Sequence, residues 1–67
     1  MDATDDFVNR IVEATNQEDW HGALDIWNDL SREATSLGQN EKIIEVYQGL
    51  SESGVSMAEV VQRVFDA

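Results

Sequence analysis

Apolar residues recur every three or four positions along most of this chain, which is the period of an amphipathic helix. Near the start, Thr4 is a candidate N-cap, and Asp5 and Asp6 suit the positive end of a helix dipole. The apolar side of this segment consists of Phe7, Val8, Ile11 and Val12. The pattern predicts a first helix over about residues 4–15.

The second segment is the most clearly amphipathic part of the chain. Thr15 and Glu18 are spaced as a capping box, which predicts that the first helix ends here and that a second covers about residues 17–37. Its apolar stripe consists of Trp20, Ala23, Trp27, Leu30, Ala34 and Leu37, widened by Leu24. Four acids share the other side, within an arc of about 80° at about 100° per residue: Glu18, Asp25, Asp29 and Glu33.

A third helix is predicted over about residues 40–53. Gly38 stands where a left-handed residue would end the second helix, Asn40 is a candidate cap for the third, and Gly54 would end the third in turn. Its apolar residues spread over a wide arc: Ile43, Ile44, Val46, Tyr47 and Leu50. So broad an apolar surface suggests that part of it contacts something outside the core.

The fourth helix has the best-marked beginning. Ser56 and Glu59 form a capping box, and Val55 and Val60 occupy the two positions of a hydrophobic staple. The predicted helix covers about residues 56–66, with an apolar side made by Met57, Val60, Val61, Val64 and Phe65.

These segments predict an all-α fold, because no run of strictly alternating apolar and polar residues indicates a strand. The short connections predict a single domain that covers residues 1–67. We expect this domain to be a small compact array of four short helices that are predominantly antiparallel. So small a core gives marginal stability, which self-association would improve. Two arrangements stay open: a homodimer, or a monomer whose core contains the large aromatic residues Phe7, Trp20, Trp27, Tyr47 and Phe65.

Two local resemblances bear on function. The stretch from Glu18 to Leu30 resembles the second helix of a tetratricopeptide-type hairpin, but the preceding helix lacks that family's pattern, so no function follows. The stretch from Gly54 to Val60 is similar to the turn and second helix of a helix-turn-helix repressor. Arg63 is the only cation on that helix and the chain carries a net charge of −10, so we expect no direct binding to nucleic acid.

The chain lacks the residues that most catalytic and metal sites need. The chain has no Cys, and its one histidine, His21, has only Glu18 and Asp25 at helical spacing to complete a metal site. Glycine-rich phosphate loops and glycine-flanked nucleophiles are missing from the sequence. We therefore expect no enzyme, no catalytic residue, no cofactor and no metal. Since no apolar run exceeds two residues, we also expect no membrane span and a soluble, cytoplasmic protein.

The remaining signal is the uneven acidity. Residues 1–30 contain eight acids and one base, a net charge of −7, whereas residues 31–67 contain six acids and three bases, a net charge of −3. Like charges four residues apart on one helix are unfavourable, so a functional reason for them is plausible. We predict a non-enzymatic interaction module, an inhibitor or adaptor, whose first two helices dock on a basic surface, such as that of a nucleic-acid-binding protein. The predicted contacts are Asp5, Asp6, Glu18, Asp25, Asp29 and Glu33.

The acidity is also compatible with a role that involves no basic partner. It could serve solubility or adaptation to high salt, and the protein could instead be a structural or regulatory subunit that forms a homodimer. That contact would use apolar helix faces containing Trp20, Trp27, Ile43 and Tyr47.

Overall fold

A computed structural model describes residues 3–66 and contains four helices: α1 (Ala3–Asn16), α2 (Trp20–Ser36), α3 (Asn40–Glu52) and α4 (Met57–Asp66). The described residues contain no strand, so the all-α prediction and the number of helices are confirmed. The second helix begins at Trp20, three residues later than predicted.

The first three helices end in the same way, with a residue of positive φ just after the last turn. Gly38 and Gly54 have φ of 68° and 82°, as predicted, and Glu18 takes the same role after α1 with φ of 58°. In each case the next residue donates its backbone N–H back to a carbonyl in the last turn: Asp19 to Ala14, Gln39 to Ala34 and Val55 to Leu50. This is the Schellman motif, and all three accepting residues are buried.

Glu18 therefore ends one helix instead of beginning the next, and the predicted Thr15–Glu18 capping box is wrong. The Thr15 hydroxyl donates to the Val12 carbonyl within the helix, at 2.8 Å. The N-cap of α2 is Asp19, whose carboxylate accepts the backbone N–H of Gly22 at 3.0 Å. Asp19 is a standard N-cap residue, but the capping-box spacing of Thr15 and Glu18 favoured Thr15 in the prediction.

Two other predicted N-caps are wrong as well. Thr4 lies inside α1 and is buried, with its hydroxyl 3.4 Å from Glu45 Oε2 of α3. Asn40 lies in the first turn of α3, and the N-cap position falls on Gln39, whose side chain makes no capping hydrogen bond. At α4 one half of the predicted box is present, since Glu59 donates its backbone N–H to Ser56 Oγ at 3.4 Å.

The core lies on one side of α2, which packs against each of the other three helices. Ile11, Val46, Leu50 and Val60 are its largest fully buried side chains. Around them lie part-buried residues that include Phe7, Trp20 and Trp27, three of the five aromatic residues expected in the core.

The helices α1 and α3 run side by side at close range, because a glycine lies between them. Thr4 meets Glu45, and one turn further along both helices Val8 meets Gly49. A Cβ atom on Gly49 would lie 2.9 Å from Val8 Cγ2, which is closer than van der Waals contact allows. Gly49 therefore permits the approach that closes the core.

The apolar pattern overestimates the core at four places, one of which is Ile44 on α3, which is 59% exposed. Leu37 is 61% exposed because it follows the last turn of α2, and Phe65 is 79% exposed because it lies about 140° around α4 from buried Val60. Tyr47, one residue after buried Val46, is half exposed.

Candidate functional site

The candidate site is the set of six acids predicted to contact a partner, and all six are exposed. They come from three places: the first turn of α1, the connection before α2, and α2 itself. None of their side chains caps a helix within residues 3–66, since the cap of α2 is Asp19. Their carboxylates are therefore accessible to another molecule.

Three of the acids form a row along α2. Asp25, Asp29 and Glu33 follow each other at intervals of four residues, so about 6 Å separates neighbouring Cβ atoms. Residues Ala23, Leu30 and Ala34 on the opposite side of this helix are buried. The predicted division of α2 into an apolar inner side and an acidic outer side is therefore present.

One cation forms an ion pair with this row of acids. The Arg32 guanidinium donates to the Asp29 carboxylate, and both side chains are largely exposed. Such an exposed ion pair contributes little free energy and opens easily. Asp25 and Glu33 have no ion pair among the described residues. The outer side of α2 thus stays strongly negative.

The two acids at the start of α1 point in different directions. Phe7 lines a small cavity where α1 meets both α2 and the start of α3, and Val8, about 100° further around α1, meets Gly49 of α3. Asp6 lies about 100° from Phe7 on the other flank, away from α3, whereas Asp5 lies almost opposite Phe7. Asp6 can therefore extend the acidic row, and Asp5 cannot.

The flank of α1 that carries Asp6 also carries Glu13, which lies two turns further along and was not among the six predicted residues. Between them Arg10 places its guanidinium 5.7 Å from the centre of the Phe7 ring. We call the surface made by Asp6, Glu13, Asp25, Asp29 and Glu33 the acidic face. Helical spacing alone pairs Glu13 with Asp6 on one flank of α1, but only the tertiary contacts show that this flank lies away from α3.

The described part of the chain does not bring together a set of metal-ligating side chains. His21 is exposed, and among residues 3–66 no three metal-ligating side chains come together. An open groove along α4 is lined by Trp20, Glu59 and Arg63, with the Arg63 guanidinium 5.1 Å from the Trp20 ring centre and 3.3 Å from the Glu59 carboxylate. The Glu59 carboxylate and the Arg63 guanidinium are thus already paired with each other, and Arg63 also contacts the Trp20 ring.

Comparison with protein-family models, with curated proteins and with solved structures finds no match. Within residues 3–66, none of the helices has the length and apolar character needed to cross a membrane.

Proposed function

We propose that this protein is a non-enzymatic interaction module, an inhibitor or adaptor, whose acidic face docks on a basic surface of another protein. One observation carries the proposal: the acids of α2 line up on the side of the helix away from the core, and all of them are exposed. The cytoplasmic localisation of the protein stays a prediction.

The energetics favour a basic partner. Repulsion between Asp25 and Asp29, and between Asp29 and Glu33, costs the free helix a few tenths of a kcal/mol per pair. A partner's Arg and Lys side chains would remove this repulsion and add charge-assisted hydrogen bonds. The long-range attraction to a chain of net charge −10 would also speed the encounter.

A more specific form of this proposal is that the acidic face imitates the charges of nucleic acid. The α2 row alone offers one charge per about 6 Å, which is sparser than the 3.4 Å per phosphate of a DNA strand. Asp6 and Glu13 on the flank of α1 add a second row beside it. Two rows resemble the charge density of a duplex groove edge more closely than one.

The test is capture by the immobilised full chain, followed by elution with increasing salt. We expect captured proteins with high isoelectric points that elute as salt rises, because salt screens exposed charges. Replacement of Asp25→Asn together with Asp29→Asn should weaken binding of a purified captured protein by a few-fold to about tenfold.

The matched control is Glu41→Gln with Glu52→Gln, which removes two exposed charges from α3 and leaves the acidic face intact. Binding should survive in this control. Binding that ignores salt, or that both double variants weaken equally, would contradict the proposal.

A second candidate function is a structural or regulatory homodimer, with the acidity serving solubility or salt adaptation. The observation that favours it is the exposure of Ile44 and Tyr47 on α3, at 59% and 50%. Of the other residues expected in such a contact, Trp20 and Trp27 pack against the chain's own core and Ile43 is half-buried. Sedimentation equilibrium over a range of protein and salt concentrations tests self-association. Circular dichroism after removal of salt tests salt adaptation, which predicts loss of helix.

A further inference from the structure

The helix α4 packs against fewer neighbours than the other three helices do. The helices α1 and α3 each pack against two others, whereas α4 packs mainly against α2 and makes few contacts with α1 and α3. With ten residues it is also the shortest helix in the described part of the chain. Such an element can open while the rest of a domain stays folded, because few contacts are lost.

Only the first half of α4 contributes side chains to the core. Met57 and Val60 are buried, whereas Val61 and Val64 are half-buried and Phe65 is 79% exposed. Within the described residues, the part-buried apolar side chains that pack around the core lie on α1, on α2 and in the connection before α4. Opening of α4 would therefore remove two side chains from the core and leave the contacts among α1, α2 and α3 in place.

An open cavity separates α4 from α1. Its volume is about 240 Å³, and its lining includes Val12 and Asn16 of α1 together with Val55, Glu59 and Val60 from the beginning of α4 and the connection before it. Side chains in a close-packed interface leave no space of this size. The two helices therefore do not hold each other in place, and α4 depends on its contacts with α2.

One contact outside the core fastens α4 to α2. The Arg63 guanidinium lies 5.1 Å from the centre of the ring of Trp20, the first residue of α2, and 3.3 Å from the Glu59 carboxylate. Glu59 lies one turn earlier on α4, so its carboxylate keeps the guanidinium close to the ring. We call Trp20, Glu59 and Arg63 the clasp.

We propose that α4 is a hinged helix that opens and closes on a stable body made by α1, α2 and α3, and that the clasp sets the open fraction. The hinge is the connection over residues 53–56, in which Gly54 has a positive φ. In the open form, Trp20 and the apolar side of α2 that α4 covers face solvent. The protein thereby gains an apolar surface whose exposure the clasp controls. This device does not depend on the acidic face, so failure of the docking proposal leaves it unaffected.

Native-state hydrogen exchange of the full chain, followed by NMR at low denaturant concentrations, tests the hinge. After correction for intrinsic rates, we expect the amides of Val61 and Gln62, in the middle of α4, to exchange at least about tenfold faster than those of Leu30, Val46 and Leu50. Their exchange should also depend less on denaturant, because opening of one helix exposes less surface than global unfolding.

Two results would overturn the hinge. Equal protection and equal denaturant dependence in all four helices would show that the domain opens only as a whole. A steady rise in exchange rate from Val61 towards the end of α4 would show fraying of single residues, because a helix that opens as a unit gives its central amides one common opening constant.

The clasp is tested by Arg63→Gln, which removes the guanidinium from the Trp20 ring. Loss of an exposed cation–π contact should raise the opening constant of α4 about two- to fivefold and leave exchange in α1 and α3 unchanged. Arg32→Gln is the matched control, because it also removes an exposed arginine that is paired with a carboxylate of its own helix, but on α2. An Arg63→Gln variant that changes nothing, or a control that speeds exchange in α4 as much, would contradict the role of the clasp.

Discussion

The helices α2 and α3 each bury one side in the same core, and each carries three acids and one base, but only α3 also exposes large apolar side chains. The outer side of α2 carries Asp25, Asp29 and Glu33, whereas the outer side of α3 exposes Ile44 and Tyr47 beside Glu41 and Glu52. Net charge alone does not distinguish the two surfaces. The exposed apolar side chains do, because an apolar contact survives added salt whereas a contact between exposed charges is screened by it.

The comparison also separates residues that hold the fold from residues that are free to contact something else. On α3 the two kinds alternate over a few positions: Ile44 and Tyr47 point outward, and Val46 and Leu50 point inward. Substitutions on the two sides should therefore differ strongly in their effect on stability. Four predictions test this difference, from the largest expected effect to the smallest.

The largest effect is expected at Leu50, whose side chain is completely buried. Leu50→Ala should lower the free energy of unfolding by about 2–5 kcal/mol, because it removes buried methyl groups and leaves a cavity. In so small a domain this loss is a large part of the total free energy of unfolding. Chemical denaturation followed by circular dichroism measures it. Ile44→Ala is the control and should cost less than about 1 kcal/mol; equal losses would contradict the division into inner and outer sides.

The next effect concerns the close contact between α1 and α3. Gly49→Ala should destabilise the protein by about 1–2 kcal/mol, since crowding against Val8 outweighs the better helix propensity of alanine. Val8→Ala removes the crowding atoms. In that background the same Gly49→Ala change should become stabilising, by up to about 1 kcal/mol. Thermal unfolding of the natural chain, the two single variants and the double variant gives the double-mutant cycle. If Gly49→Ala destabilised both backgrounds, this contact would be excluded as the reason for the glycine.

A smaller effect, of opposite sign, is expected at the connection into α2. Glu18 has a positive φ, which costs a residue with a Cβ atom about 1 kcal/mol. Glu18→Gly should therefore raise the free energy of unfolding by up to about 1 kcal/mol. The gain is reduced by the greater conformational entropy that glycine gives the unfolded chain. Glu18→Ala is the control, because it removes the charge but keeps the strain. If both variants gained equally, charge and not backbone conformation would be the cause.

The smallest effect tests the acidic row itself. Asp25→Asn should stabilise the protein by a few tenths of a kcal/mol, because it removes a like-charge neighbour of Asp29. The gain should shrink as salt is added, since the repulsion is screened. Denaturation curves at two salt concentrations measure both effects. A loss of stability in low salt would mean that Asp25 makes a favourable contact within the chain.

Much of the local structure could be predicted from the sequence. Helical periodicity identified all four helices, Gly38 and Gly54 were predicted to end two of them, and the acidic side of α2 was evident from spacing. The helix starts were less predictable. Thr4, Thr15 and Asn40 are all residue types that cap helices, and in this fold Thr4 meets α3, Thr15 bonds within α1, and Asn40 lies in the first turn of α3.

The candidate site divides in the same way. The α2 row followed from one helix alone, so the sequence sufficed for Asp25, Asp29 and Glu33. The contribution of α1 depends on how that helix is turned toward α2 and α3, and only the tertiary contacts of Phe7 and Val8 show this. For that reason Asp6 belongs to the acidic face, Asp5 does not, and Glu13 was missed.

The sequence by itself determined the number of helices, their type and the two-sided character of α2, because these depend on residues close together in the chain. Only the tertiary structure decided that Tyr47, Leu37 and Phe65 stay exposed and that Val8 meets Gly49. Those outcomes depend on how the helices are placed against one another, and a small core covers only part of the apolar surface that the helical pattern offers.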